Sequence, residues 1–307
     1  MVLSNVCGVV VRDLIIRQSG AFGVHLSNCR DFLVEGLTFE DQGRDGVHVN
    51  GPAAYGVIRN LRGVTHDDFI ALNAWEWMGY TPTFGPIHHV LVEEVTGINR
   101  ASDDYTSPFP DGTAELRLLP GTKKFADGTR LACDIRDCVF RKLTNIRTVK
   151  MYDQPNLELG RDRDFADPIG LVGNVFFSQL IYDHPGRFQI AATVEGMRID
   201  DVQIRFHPAG TFKLVEIGPM SATCKVKPDD PATWTELFSP DRDVTVRGFD
   251  LAGVRVQDGD TLMPVSDARR RFVNVAGQQP NPDYPQSTPR GGSGNASLCD
   301  LNPHEIG

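Results

Sequence analysis

The chain has 307 residues and a formal net charge of −9, from 31 basic and 40 acidic side chains. This acidic surplus argues against a general electrostatic attraction to nucleic acid or to an anionic membrane surface. A hydrophobic fraction of 40% with 23% charged residues excludes a disordered chain. No apolar run approaches the roughly 18 residues that a membrane-spanning helix needs.

A short β-rich phrase recurs along the chain, in which an apolar residue is followed by two mostly polar residues and another apolar residue. The first two steps between copies are 23 and 24 residues, and later steps are longer. The copies occupy residues 11–14, 34–37, 58–61, 92–95, 135–138, 172–175, 199–202 and 246–249. A repeat of this length with β-branched phrases is typical of a solenoid whose turns bury their apolar side against each other.

A second phrase alternates apolar, variable and apolar residues at 24–26, 47–49, 70–72, 116–118 and 149–151. Alternation points the two outer residues of each triplet inward and the middle residue outward. Together the two phrases predict an all-β fold, a right-handed parallel β-helix of about eight turns. It covers residues 1–266 as one catalytic domain, with loops inserted at 75–86, 99–113, 120–130, 152–168 and 219–240 and an irregular tail at 267–307.

Three aspartates occupy two neighbouring repeats. Asp45 lies two residues before the inward Val47, and Asp68 lies two residues before the inward Ile70. The register of the two strands therefore predicts that Asp45 stacks on Asp68 at about 5 Å, with Asp67 beside them. Like charges this close raise the pKa of at least one carboxyl group, which suits a general acid. The other interpretations are turn-capping aspartates and ligands of Ca²⁺.

Two basic residues and two histidines are predicted close to these acids. Arg117 and Lys150 are the middle residues of their triplets, in line with His48, and we expect all three to bind substrate, an anionic sugar among the candidates. His66 directly precedes the paired acids and is expected to be a hydrogen-bonding or acid–base partner.

Aromatic residues follow the acid-bearing strand. Trp75 and Trp77 lie in the predicted loop after Asn73, and Tyr152 comes two residues after Lys150. Aromatic faces stack on the apolar faces of sugar rings, so these three residues are expected to wall a substrate groove.

Residues 3–73 resemble the core of the polygalacturonase-like glycoside hydrolases, family 28, of the pectin-lyase-like β-helix superfamily. The family motif Asn-Thr-Asp-Gly corresponds to Gly43-Arg44-Asp45-Gly46, and its Gly-Asp-Asp motif to His66-Asp67-Asp68, 22 residues further on. Its Gly-His-Gly motif has no counterpart at 112–117, and its Arg-x-Lys motif is echoed only at 147–150.

The resemblance implies inverting hydrolysis of a polysaccharide or oligosaccharide, possible substrates including uronate-containing, pectin-like polymers. Asp67 or Asp68 would protonate the leaving oxygen while the other acids activate water, with no metal or cofactor. It also implies a secreted or periplasmic protein.

Two other functions fit the same sequence. A uronate lyase would use Arg117 or Lys150 as proton abstractor, often with Ca²⁺, and a non-catalytic carbohydrate-binding β-helix would use the acids structurally. The first β-phrase begins near residue 9 with no covering segment before it, so the sequence also predicts a chain that starts inside a longer protein.

Overall fold

The computed structural model describes residues 1–75, 83–97, 115–152, 169–217 and 246–275. These residues form an all-β protein with one long, mainly parallel sheet, a separate hairpin and one short helix. No helix in these ranges is long and apolar enough to cross a membrane. The elements in chain order are β1 Val2–Cys7, β2 Val10–Arg12, β3 Ile15–Arg17, β4 Val24–Gln42, β5 Val47–Thr65, β6 Asp68–Asn73, β7 Ile87–Gly97, β8 Glu115–Leu119, β9 Gly121–Lys124, β10 Arg130–Cys133, β11 Ile135–Thr144, β12 Thr148–Tyr152, β13 Val172–Tyr182, β14 Arg187–Ala191, β15 Val194–Ile204, β16 Val215–Ile217, β17 Val246–Leu251, β18 Val254–Asp258, β19 Thr261–Pro264, α1 Ala268–Phe272 and β20 Val273–Val275.

The alternating triplets stack in parallel register, as their spacing predicts. Val47 pairs with Ile70, and the row continues through Leu116 and Val149. It extends beyond the predicted triplets to Phe188 and then to Val215 and Val273. The outer residues of the predicted triplets are buried in one continuous apolar core. Burial of this row holds neighbouring strands in a single register, because a slip of one residue would turn the apolar side chains outward.

The predicted copies of the first β-rich phrase do not all stack on one another, because they fall in two different rows. The row of Ile58 and Val92 continues to Phe140, whereas the predicted copy at Ile135 pairs with Ile87. Each repeat contains two apolar rows five residues apart, and the copies at 135–138, 172–175 and 246–249 belong to the other row. Both rows carry similar apolar residues, so the phrase alone does not distinguish them.

The chain turns at equivalent positions in successive repeats. One such corner places Asp31, Tyr55, His89 and Asp137 at φ between 54° and 56°, in the left-handed region. Gly8, Asn174, Gly196 and Gly248 occupy the same corner in other repeats, also with positive φ. Gly, Asn and Asp adopt this conformation with the least strain, which explains their frequency at this corner. These bends divide the long stretches β4 and β5 into short straight segments.

Two predicted irregular regions contain regular structure. Residues 121–133 include the antiparallel pair β9 and β10 instead of an open loop. Beyond residue 266, α1 buries Phe272 in the core and β20 adds to the parallel row beside β16. The proposed domain boundary therefore falls before two ordered elements, while residues 276–307 of the predicted tail lie outside the described part.

Candidate functional site

The three aspartates meet in one buried cluster. Asp45 lies two residues before β5, and the amide of Gly46 donates to the carbonyl oxygen of Asp68 at 2.9 Å, which continues the register of the neighbouring strands. One carboxylate oxygen from each of Asp45, Asp67 and Asp68 lies within 4.8 Å of the others. A side chain at Gly46 would place its Cβ 2.7 Å from the carbonyl oxygen of Phe69, so glycine permits this close approach.

Two arginines compensate the negative charge of the cluster. Arg117 directly contacts the carboxylate of Asp68, and its Nη2 lies 3.7 Å from Asp67 Oδ1 and 3.9 Å from Asp45 Oδ2. Arg44 Nη2 lies 3.3 Å from Asp67 Oδ2. Because Arg117 is buried with the aspartates, its charge acts on them with little screening by solvent.

The surroundings of Asp67 and Asp45 shift the pKa values of these two acids in opposite directions. Burial, followed by repulsion from Asp45, raises the pKa of Asp67 to about 6, against the opposing effect of the two arginines. Burial alone would also raise the pKa of Asp45. The hydrogen bond and charge of His48, together with the arginines, outweigh burial and hold the pKa of Asp45 below its usual value. Two neighbouring acids whose pKa values are shifted in opposite directions are suited to separate acid and base roles.

His48 positions Asp45. Its Nδ1 lies 2.5 Å from Asp45 Oδ2, and its Nε2 lies 3.4 Å from Nδ2 of Asn73. Nδ1 carries a proton and donates it to Asp45, because an ionised carboxylate only accepts hydrogen bonds. Phe22 stacks on the imidazole with ring centroids 3.9 Å apart. His48 is 1% exposed, as buried as Asp45 itself, and in this geometry it is placed to orient that carboxylate. Its contact with substrate stays a prediction.

Other predicted site residues lie elsewhere. His66 Nε2 lies 2.5 Å from Asp41 Oδ1, near the surface, so its carboxylate partner is not one of the three clustered acids. Trp75 is 3% exposed and packs in the core against Gly121, and the amides of Ala74 and Trp75 both donate to the carbonyl oxygen of Leu119. The prediction that Trp75 walls a groove is therefore wrong. Trp77 and the side chain of Tyr152 lie outside the described residues.

Arg117 and Lys150 occupy the predicted row, next to each other on β8 and β12. Both side chains are only 4% exposed, because each is buried beside a carboxylate. Lys150 Nζ directly contacts the carboxylate of Glu115, a residue that the sequence interpretation missed. Glu115 pairs with Asp68 across a register irregularity, so it precedes the inward Leu116 by one residue instead of two. The rule that located Asp45 and Asp68 therefore passes over it.

Several buried oxygens near the cluster have no hydrogen-bond partner within the described part of the chain. They are Oδ1 of Asp45, Asp68 and Asn73 and Oε1 of Gln189, which is the neighbour of Lys150 on β14. A buried acceptor without a partner costs about 1–3 kcal/mol. Such groups concentrated around one cluster indicate a place where a bound water or ligand supplies the missing donors.

The three clustered aspartates also have the donor atoms of a divalent-cation site. Three carboxylate oxygens within 4.8 Å of one another match the ligands that Ca²⁺ prefers. The guanidinium group of Arg117, however, already contacts Asp68 and lies within 4 Å of the other two aspartates. A divalent cation would have to share this space with a fixed positive charge, so the donor set fits a metal poorly.

Comparison with family models, with curated proteins and with solved structures finds no significant match to this chain. The resemblance to the polygalacturonase-like hydrolases therefore rests on the motifs around Asp45 and Asp67 alone.

The raised pKa of Asp67 predicts an effect on stability. The unfolded chain loses this proton near pH 3.8 and the folded chain near pH 6, so stability falls as pH rises between these values. Replacing Asp67 with Asn removes this loss, and we expect it to stabilise the protein by about 3 kcal/mol above pH 6 and by little below pH 4. Urea denaturation of both proteins across this pH range measures the difference.

The matched control is Asp41→Asn. Hydrogen bonds from His66 and Gln18 hold the pKa of the exposed Asp41 below its usual value, so losing this carboxylate should weaken stability at neutral pH. Opposite signs for the two substitutions are expected. A loss of stability at pH 7 in the Asp67 variant contradicts the assignment of a destabilising buried charge.

Proposed function

We propose that the protein is a glycoside hydrolase on a right-handed parallel β-helix of about eight turns, distantly related to the polygalacturonase-like enzymes. The parallel rows of the triplets and the corners that recur at equivalent positions support the solenoid. The observation that carries the hydrolase proposal is the raised pKa of Asp67 beside the lowered pKa of Asp45 within one cluster.

Asp67 is the general acid in this proposal. With a pKa of about 6 it holds its proton in mildly acidic solution, and it lies beside two acids in contact with positive or hydrogen-bonding groups. Hydrolysis of a glycosidic bond requires a proton on the leaving oxygen as the bond to the anomeric carbon breaks. Asp67 supplies that proton.

Asp45 and Asp68 activate the attacking water. Each has an Oδ1 without a partner among the described residues, so each can accept a hydrogen bond from the same water. Carboxylate oxygens within 4.8 Å of one another can be bridged by one water, since each hydrogen bond spans about 2.7 Å. The water oxygen bonds to the anomeric carbon, its proton passes to a carboxylate, and the sugar leaves with the proton from Asp67.

Retention or inversion at the anomeric carbon depends on the separation of the acids and on whether the second acid activates water or attacks the sugar itself. The nearest oxygens are closer than the roughly 6.5–9.5 Å between carboxyl groups in inverting enzymes, and nearer the roughly 5 Å of retaining ones. We propose inversion, because two acceptors are available to hold water and no third acid is needed as nucleophile. NMR of the first product decides this point, and a retained anomer would assign the nucleophile role to Asp45 or Asp68.

The test is a screen of neutral and uronate-containing glycans for release of reducing ends. We expect Asp45→Asn, Asp67→Asn and Asp68→Asn each to abolish most of the activity, whereas Asp41→Asn, one repeat away near the surface, retains it. Activity that survives all three changes overturns the proposal.

The same screen separates the alternatives. A lyase would give an unsaturated, ultraviolet-absorbing product, lost on addition of a chelator. Its proton abstractor would be Arg117 or Lys150, and both are in contact with carboxylates, which does not favour that role. Oligosaccharide that binds and is never cleaved would support the non-catalytic carbohydrate-binding protein.

A further inference from the structure

The basic side chains beside the aspartates form buried ion pairs with carboxylates of the protein. Arg117 contacts Asp68, and Lys150 contacts Glu115, on the adjacent strands β8 and β12. The side chains of both pairs are at most 8% exposed. Arg44 reaches Asp67 at 3.3 Å. Within the described part of this site, Arg44, Arg117 and Lys150 are therefore each paired with a carboxylate of the chain itself.

An anionic ligand meets two difficulties at such a site. Placed between the pairs, its carboxylate would lie beside Asp68 and Glu115 and be repelled by both. Placed on Lys150, it would have to displace Glu115 and leave that buried carboxylate without its partner. Stranding one member of a buried ion pair is strongly unfavourable, so the existing pairing discriminates against a second source of negative charge.

The polar groups left over are acceptors. Gln189 Oε1, Asn73 Oδ1 and the Oδ1 atoms of Asp45 and Asp68 have no hydrogen-bond partner among the described residues. An ionised carboxylate accepts hydrogen bonds only, whereas every sugar hydroxyl can donate one. The unpartnered oxygens thus complement a ring rich in hydroxyl groups.

Resting on the proposed hydrolase function, we infer that the substrate is a neutral glycan, and that Glu115 is the residue that excludes uronates. Glu115 does so by keeping Lys150 in an internal ion pair. Gln189 lies beside Lys150 in the same row and supplies an acceptor for a hydroxyl group of the sugar.

The experiment compares uronate polymers with their carboxyl-reduced, neutral counterparts, which keep the same backbone and linkage, alongside common neutral glycans. Wild-type protein is expected to cleave neutral members at least tenfold faster than the matched uronates. Cleavage of a uronate polymer as fast as, or faster than, its neutral counterpart overturns the inference. This comparison needs no variant and so does not depend on how any substitution folds.

Glu115→Gln tests the residue itself. It releases Lys150 to pair with a uronate, so we expect the ratio of uronate to neutral cleavage to rise at least tenfold. The double variant Glu115→Gln/Lys150→Met removes both charges and should lose this gain. An unchanged ratio in Glu115→Gln, with the protein folded by circular dichroism, overturns the role of Glu115.

Binding measurements separate the inference from the proposed function. Calorimetric titration of Asp67→Asn with carboxyl-reduced and uronate oligosaccharides reports affinity while the ligand stays intact. A tenfold preference for the neutral ligand without cleavage by wild-type protein supports the ligand class and overturns the hydrolase. Cleavage by wild-type protein with a preference for uronates leaves the hydrolase standing and overturns the inference.

Discussion

Replacement of Asp67 with Asn is expected to lower kcat for glycoside hydrolysis by about a hundredfold to ten-thousandfold, the usual contribution of a general acid. The amide has nearly the same shape but no proton of suitable acidity to give to the leaving oxygen. Because the same change is expected to stabilise the fold at neutral pH, lost activity will not reflect unfolding. Initial rates of reducing-end release, with an unfolding curve for the same preparation, measure both effects.

The pH dependence tests the same assignment independently. As the proposed general acid, Asp67 must be protonated to act, and its pKa is about 6, so kcat/KM of the wild-type protein should fall as pH rises above 6. Residual activity of the Asn variant should lack this decline. Asp41→Asn should keep it, since Asp41 is bonded to His66 outside the cluster. A decline that persists in the Asp67 variant would assign the titrating acid to another residue.

Replacement of Arg117 with Met is expected to lower the free energy of unfolding by about 3–5 kcal/mol at pH 7. Arg117 directly contacts Asp68 and lies within 4 Å of Asp45 and Asp67, all of them buried. Methionine fills much of the space but leaves Asp68 without its positive partner. Urea denaturation of the two proteins in the same buffer measures the loss.

Lys142→Met is the control for that experiment. Lys142 Nζ lies 2.8 Å from Glu94 Oε1, and both side chains are about half exposed, at 48% and 49%. Solvent screening limits such a pair to about 1 kcal/mol or less. In the double variant Arg117→Met/Asp68→Asn the stranded charge is gone and much of the stability should return. Similar losses at Arg117 and Lys142 would show that burial of the first pair has no energetic consequence.

The sequence predicted those features that depend on strand alternation. Val47, Ile70 and Leu116 lie in one parallel row because each must bury its side chain, and this row carries Arg117 and Lys150 into line beside the acids. Asp45 and Asp68 precede this row by the same number of residues in successive repeats, so their proximity was also predictable. A pattern of period two is a direct statement of which side chains share a face.

Features that depend on local irregularity or on choice of partner were not predictable in this way. Glu115 escaped notice because the backbone shifts register beside Asp68. Trp75 follows the acid-bearing strand in sequence, but only its tertiary contacts with Leu119 and Gly121 show that it enters the core. His66 is adjacent to Asp67 along the chain, yet both residues lie in the bend between β5 and β6, where strand alternation does not apply, and the ring of His66 reaches Asp41 instead.

The parallel rows have a consequence for how this protein can change over evolution. Ile70 follows its partner Val47 by 23 residues, whereas Leu116 follows Ile70 by 46 and Val149 follows Leu116 by 33. The strands nevertheless keep one register, so the length of the intervening chain is uncoupled from the positions of Asp45, Asp68 and Arg117. Insertions and deletions between strands can therefore accumulate while the buried charge network is inherited intact. The scaffold is modular, with chemistry held in the strands and variation admitted between them.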